Sequence, residues 1–479
     1  MNKIIIVGGG TAGCISALIL KQKFPKIDVN IIESKNVGIV GVGESSTEHW
    51  TDFCNFVDIP ILNVLKYCKA TFKSGVYFEN WAKNDFIHSI IPPFQKTYGS
   101  YYGIYGYLIS NELGIVEPLS TINKLGTTHF NSLYDSPYNQ FQFDTFALNS
   151  YLHEICNQKG IGILYDDIIG AYLDEENGNI NAVCSKDTNY QADFFIDCSG
   201  FSKILLNQIY KVPWISYSKY LPLNSAIAFA TEEMEEYNKY TKSTARNAGW
   251  SWTIPTQTRT GNGYVYCDSF IEKDKAHEEM EKAYGCTLDI AKEFKFDPGR
   301  LEKAWYKNCY AVGLSQSFVE PLEATSIGSV IQQMFCFLHF LPSYDHESCN
   351  ECVNEIFDNI VDYVQAHYLV KREDTPFWRE VKYNLNLTSN LAGYLEKWKN
   401  RLPIDVDVKC SWGLFKSQNY IPILYGLGWF DTEKIKKEYD FHAPSIEHDI
   451  INELESIHEP PFLISHKKFI KEIINGRHS

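Results

Sequence analysis

No stretch of this chain of 479 residues is apolar for long enough to cross a bilayer. The longest apolar runs, such as Met334 to Leu341, fall well short of the roughly 20 residues a span requires. Basic charge is also in short supply. With 44 Lys and Arg against 59 Asp and Glu, the formal net charge is −15, which argues against nucleic acid or an anionic membrane surface as a partner. A metal-ligand set is missing too. The tightest group of sulfur and imidazole is His346, Cys349 and Cys352, and no fourth ligand stands near it, so no metal is expected. The 13 cysteines are an odd number scattered from Cys14 to Cys410 with no signal peptide ahead of them. They read as reduced thiols in a cytoplasmic protein. Internal repeats and low-complexity segments are absent. Aromatic residues, by contrast, are abundant: 31 Tyr and 29 Phe suggest aromatic-lined pockets. The length suggests about two to three domain-sized units.

The segment Lys3 to Glu33 carries the strongest local signal. Four β-branched residues, Ile4 to Val7, run into Gly8, Gly9 and Gly10, and Gly13 follows at the mouth of an apolar-periodic helix. Strand, tight turn, helix and strand in this order form a dinucleotide-binding fingerprint. The first glycine permits the turn, the second admits a pyrophosphate, and the third lets helix and strand pack closely, with Thr11 and Ala12 opening the helix at the phosphates. Glu33, about twenty residues after Gly13, stands where a carboxylate accepts both ribose hydroxyls. The competing reading is a glycine-rich loop that merely packs. FAD and NAD share the fingerprint, and the length of chain that follows favours a flavoprotein with interleaved modules.

A second glycine-rich loop, Gly38, Gly41 and Gly43 ahead of Glu44 and Ser45, either closes over the adenosine end of the cofactor or leads towards a flavin ring. Residues 53–69 read as helix, and residues 70–85 turn to strand-like alternation around Phe72, Lys73 and Phe78. A lysine in such surroundings either snorkels to solvent or points into a cavity. From Phe86 to Phe146 the sequence is irregular and suits a substrate-facing cap. Asn149 to Lys159 is predicted helical. Asn177-Gly178 predicts a hairpin between Ile168–Leu173 and Ile180–Cys184, and Ala192 to Phe201 a buried strand. In Gly249 to Pro255, period-two alternation puts Trp250 and Trp252 on one face. Thr260 to Gly263 are expected to turn that strand into the next, and residues 270–295 to be helical. Tyr310 to Leu314 resembles a last sheet strand, with a helix from about Ser329. Glu320 and Glu323 precede that helix and either serve chemistry or merely complement its dipole. Val353, Ile356, Phe357, Ile360, Val361 and Val364 form a helical core stripe.

Taken together, GGGTAG, GVGES, TFKSG with Lys73, IDCSG, GWSWTIP, PGR with Trp305 and Asn308, and FVEPLEATSI resemble the motifs of flavin-dependent halogenases of the tryptophan-halogenase type. They occur in family order over roughly residues 4 to 330, with a weaker echo in SWGLFKSQNYIPILYGLGWF. W-x-W-x-I-P beside the lysine motif is what separates this family from ordinary flavin monooxygenases. The resemblance implies an α/β fold, an FAD-binding Rossmann-like fold of the flavin monooxygenase type. Residues 1–335 would form the FAD module, with a β-rich substrate module interleaved at about 70–150 and 205–295. Residues 336–479 would form a mainly helical region covering the substrate site.

The resemblance further implies that FAD arrives as FADH2 from a separate flavin reductase by diffusion, and that halide and O2 yield hypohalous acid. Lys73 would then relay the oxidant to an electron-rich aromatic small molecule, and Glu323 would polarise it or assist proton removal. Trp250, Trp252 and Pro255 would line the passage. Thr325 and Ser326 would seat the halide, and Leu314 and Ile327 would lie near the flavin ring. Ser34, Ser45 and Ile168 match peripheral FAD contacts. Two departures from the family pattern matter. Ala324-Thr325-Ser326 replaces Ser-Thr-Gly, which leaves the halide preference open. Pro92 to Ile109 shows no recognisable indole-binding pattern, so the substrate is not carried over. The rival readings are an FAD-dependent aromatic hydroxylase of the same fold and a flavin-fold binding protein without chemistry.

Overall fold

The computed structural model describes residues 1–39, 43–89, 101–111, 140–404, 406–442, 448 and 465–476. Most of the expected substrate-facing stretch, residues 90–100 and 112–139, lies outside the described residues, as does Gly41.

The sequence begins with a run of β-branched residues that belongs in a sheet buried on both faces. Lys3–Val7 occupies an inner position of a six-stranded sheet whose order is Trp305–Tyr306, Cys309–Ala311, Phe194–Asp197, Lys3–Val7, Asp28–Glu33, Gly162–Tyr165. All neighbours run parallel except the antiparallel edge strand Trp305–Tyr306. Alternation divides the first strand between two cores. Ile4 and Ile6 join the main core with Cys14, Leu18 and Trp50, whereas Ile5 and Val7 pack with Ile32, Val183 and Leu205 on the other side.

A second sheet of seven strands has the order Ile290–Lys295, Ser225–Thr231, Thr260–Tyr266, Gly249–Pro255, Tyr240–Arg246, Gly75–Glu79, Phe86–Ser89. Its pairs are antiparallel except for Tyr240–Arg246 with Gly75–Glu79. Helices dominate the later chain: Thr325–Phe340, His346–Ala366, Pro376–Asn384, Ser389–Trp398, Ser417–Gly426, Thr432–His442 and His466–Ile474. The apolar stripe from Val353 to Val364 lies in the second of these and is buried.

Several expectations are corrected. Thr260 to Gly263 do not turn; they are the start of a full strand, and the turn falls earlier, where Thr256 N–H donates to the Arg259 carbonyl at 3.0 Å. The glycine there serves packing instead, since a Cβ on Gly263 would lie 2.0 Å from Cη2 of Trp252. Residues 270–295 are helical only over Lys273–Tyr284, after which Gly285, at φ 69°, ends the helix and Ile290–Lys295 forms an edge strand. The helix expected over 53–69 is broken in two, His49–Phe56 and Ile61–Tyr67, around Asp58 at φ 60° and Pro60. The helix expected from Ser329 begins at Thr325, and the strand expected over Tyr310 to Leu314 spans only Cys309–Ala311. Within the expected irregular stretch, Phe86–Ser89 is a strand and Tyr101–Ser110 a helix. The Asn177-Gly178 hairpin forms as expected between Gly170–Leu173 and Ile180–Cys184.

Gly263→Ala is expected to destabilise the fold by about 2 kcal/mol through overpacking against Trp252. In thermal denaturation the pair Gly263→Ala with Trp252→Ala should cost less than the sum of the single changes. Strict additivity would show that the indole does not set the requirement for glycine.

Candidate active site

The glycine turn is shaped by close approaches. Gly8, at φ 116°, would place a Cβ 2.1 Å from the Cys198 carbonyl oxygen, and Gly13 would place one 2.0 Å from the Gly8 carbonyl oxygen. Both positions are therefore closed to any side chain. Gly10 differs, for nothing lies within 4 Å of its virtual Cβ. It precedes the helix Thr11–Lys23, no side chain caps that helix, and Thr11 Oγ1 is buried without a partner. An open cradle, unused first-turn N–H groups and an unpartnered hydroxyl fit the phosphates of a dinucleotide. Ala12 faces Gly313, where a Cβ would come within 2.8 Å of its methyl. Glu33 lies against Gly9, whose carbonyl accepts from His153 Nε2 at 2.7 Å and Asn149 Nδ2 at 3.0 Å. Burial raises the Glu33 pKa, partly offset by His153. Ser34 Oγ caps the following turn by accepting from the N–H groups of Asn36 and Val37. Asp197 of IDCSG is structural: its carboxylate accepts from Ser199, Leu205 and Leu206 N–H groups.

Against the seven-stranded sheet, between it and the segment from Leu314 to Ile327, lies a cavity of about 150 Å³. Lys73, Trp250, Trp252, Ile254 and Thr241 border it, and so do Ser45, Leu314, Glu323, Ser326 and Ile327. Residues from widely separated stretches of sequence thus face one space. Pro255, Thr325 and Ile168 do not line it, nor do Ser34 and the residues of the glycine turn. Pro255 is buried at the end of its strand, and its carbonyl accepts from Thr71 Oγ1 at 2.8 Å. Thr325 is buried as the first residue of its helix. Ile168 belongs to the core of Ile5, Val7 and Ile32 on the far face of the parallel sheet.

Lys73 follows the short strand Thr71–Phe72 and is fixed by the backbone on both sides. Phe72 N–H donates to His466 Nε2 at 3.2 Å, and Lys73 N–H to the Gln140 carbonyl at 3.0 Å. The side chain is 1% exposed, so it takes the cavity rather than solvent. Among the described residues its ammonium has one distant acceptor, the Ser46 carbonyl at 3.4 Å. Burial lowers its pKa to about 8, against the opposing pull of Glu323 and Glu48.

The turn that carries Glu320 and Glu323 passes through Ala324, which holds a left-handed conformation at φ 57° before the helix starts. The two carboxylates are both buried, yet their environments drive them apart. Glu320 is pushed up to about 8 by burial, which outweighs the Tyr368 hydroxyl donating to it at 2.6 Å and the Trp250 indole. Burial acts on Glu323 in the same sense but is outweighed by His88 and His367, which bring it down to about 2. His88 Nδ1 is 3.0 Å and His367 Nε2 3.1 Å from Glu323 Oε1. Sequence reading missed His88, Tyr363, His367 and Tyr368. The alternation of Phe86, Ile87 and His88 marks a strand, and the apolar stripe leads to His367, but neither pattern says that an imidazole at its end meets a carboxylate. Glu44 also borders the cavity; burial raises it to about 7, and its Oε2 has no partner.

No group of three or more His, Cys, Asp or Glu suited to a metal occurs among the described residues. Nor is any helix among them long and apolar enough to cross a membrane.

The sequence profile of the tryptophan halogenase family matches residues 3–438. Tryptophan 6-halogenase SttH of Streptomyces toxytricini is 29% identical over 477 residues, covering 89% of each chain. Tryptophan 7-halogenase RebH of Lentzea aerocolonigenes is 27% identical, covering 89% of this chain and 90% of its own. Among solved structures, Xcc4156, a flavin-dependent halogenase from Xanthomonas campestris, superposes with a TM-score of 0.84 at 26% identity, covering 98% of both chains. The fold, the motifs and these likenesses agree: the chain belongs to the tryptophan halogenase family and is a flavin-dependent halogenase.

Proposed function

We propose that the protein halogenates an electron-rich aromatic small molecule, using FAD delivered reduced by a separate flavin reductase, with Lys73 and Glu323 as the catalytic residues. The observation that carries this reading is that both side chains, buried and oppositely charged, face the one cavity that Leu314, Ser326 and Ile327 also border. A hydroxylase of the same fold needs neither.

Gly8, Gly10, Thr11, Ala12, Gly13 and Glu33 would hold the dinucleotide, with Ser45, Leu314 and Ile327 towards its ring. Reduced flavin with O2 supplies, when bound, the oxidation of halide to hypohalous acid. The start of the helix Thr325–Phe340, where no side chain caps the free N–H groups, suits an anion and is the proposed halide seat, with the Ser326 side chain beside it. Trp250 and Trp252, ring centroids 6.1 Å apart, wall the cavity and exclude water. Lys73 then holds the oxidant. As the ammonium it donates to the hypohalous oxygen; as the free amine it takes the halogen and releases water. With a pKa of about 8, both forms are present near neutral pH. When the ring carbon bonds the halogen, its C–H electron pair restores aromaticity and the proton passes to Glu323, ionised between two imidazoles.

With reduced FAD, O2 and chloride, bromide or iodide in separate trials, the purified protein is expected to convert indoles, phenols or anilines into halogenated products detected by mass spectrometry. Hydroxylation or peroxide alone with every halide would sink the proposal. Lys73→Ala should lower halogenation at least about a hundredfold while flavin oxidation continues; retention of full activity would remove Lys73 from the chemistry.

The buried lysine also costs stability. Its folded pKa of about 8 lies below the ordinary 10.5, so between these values the unfolded chain binds the proton and the folded chain does not. Stability from this group therefore rises with pH across that window, and the full cost, on the order of 3 kcal/mol, applies below it. Lys73→Met should raise the melting temperature at pH 7, and the gain should fade as the pH approaches 10. An unchanged or lower melting temperature would contradict the burial of a poorly compensated cation.

A further inference from the structure

We infer that His367 is a positioning residue for the reaction, holding Glu323 ionised and oriented so that it accepts the ring proton. The inference rests on the reading of Glu323 given above, and it comes from the hydrogen-bond directions around one buried imidazole.

His367 is fully buried. Its Nδ1 lies 2.9 Å from the Tyr363 carbonyl oxygen, which only accepts, so Nδ1 carries a hydrogen. Its Nε2 lies 3.1 Å from Glu323 Oε1. A neutral ring with its hydrogen on Nδ1 would turn a lone pair at Nε2 towards the carboxylate, an unfavourable contact. The observed approach needs a proton between them, and an imidazolium facing a carboxylate meets that need.

His88 is placed differently. Its Nδ1 is 3.0 and 3.1 Å from the two Glu323 oxygens and 3.1 Å from the Tyr363 hydroxyl, whose own hydrogen goes to the Asn419 carbonyl at 3.2 Å. All three neighbours are acceptors, and a neutral ring with hydrogen on Nδ1 satisfies them. His88 therefore orients the carboxylate from a second side and shares in lowering its pKa, whereas only at His367 do the two ring contacts together demand a second hydrogen. The other titratable or charged groups near Glu323 are Lys73 across the cavity, with Glu48 beyond it, and Tyr363, one helical turn before His367. Glu320, on the same turn, faces Tyr368 instead.

Glu320 supplies an internal comparison. It is as deeply buried as Glu323 and three residues away, but the residue next to His367 offers it a neutral hydroxyl rather than an imidazole. Burial then prevails, and Glu320 is pushed up to about 8. Consecutive residues, His367 and Tyr368, thus grip the two glutamates of one turn and leave them in opposite protonation states. Without the charge on His367, Glu323 has the same reason to take up a proton and stop serving as a base.

The test uses His367→Gln, whose amide still donates to Glu323 but brings no charge, with His367→Phe as the harsher change and Tyr368→Phe as the comparison. Two quantities are measured: the pH profile of halogenation, and the infrared carboxyl band of Glu323, assigned by difference against Glu323→Gln. In His367→Gln, the acid limb of the profile should move up by several pH units, towards the range of Glu320, and a protonated-carboxyl band should appear near neutral pH. Tyr368→Phe should shift neither. A His367→Gln profile that superimposes on the parent, or a uniform loss of rate with no new carboxyl band, overturns the inference. The infrared measurement needs no halide or arene, so it decides the ionisation of Glu323 even if the parent protein halogenates nothing, an outcome that would count against the proposed function alone.

Discussion

An ammonium and a carboxylate share one small, largely apolar space, and most of the site follows from how that is made tolerable. Burying either charge alone costs several kcal/mol. The chain answers differently at the two ends. At Glu323 the charge is kept, because two imidazoles donate to it. At Lys73 little compensates beyond a distant carbonyl, so the charge is only loosely held and the pKa falls. A fixed carboxylate and a labile amine are what transfer of an electrophilic halogen followed by loss of a proton requires.

That arrangement depends on pieces far apart in sequence. The backbone at Lys73 is clamped by Pro255 through Thr71 and by His466 through Phe72. Trp252 closes the wall only because Gly263 leaves room for its indole. The turn around Ala324 presents Glu320 and Glu323 to the end of a helix whose stripe, Val353 to Val364, is ordinary core. The later helices therefore reach the site with His367 and Tyr368, and stability and chemistry meet in the same element.

The parts legible in the sequence were those governed by local rules. β-branched Ile4 to Val7 and the glycine spacing after them dictate a strand, turn and helix whatever else the chain does, and the resemblance of scattered motifs pointed to the family. Errors arose where tertiary packing overrode local preference. Thr260 to Gly263 has turn composition, yet the glycines face neighbours in a sheet. The strand at Ile290 follows a charged helix without a change of polarity to announce it. Pro255 shares a motif with Trp250 and Trp252, but alternation and the strand end direct it away from the cavity they line. His88 and His367 were invisible for a related reason: each sits in a sequence explained by strand or helix alone, and their meeting at Glu323 spans separations of 235 and 44 residues.

The central claim, that Lys73 is buried against the cavity where its proton is labile, is tested most directly by titrating that one amine. Nuclear magnetic resonance of protein labelled at the lysine side chains, with Lys73→Met to assign the signal, gives its midpoint. The account predicts a midpoint near 8, with the signal insensitive to added salt because solvent ions do not reach it. A midpoint at the ordinary lysine value, about 10.4, would contradict it.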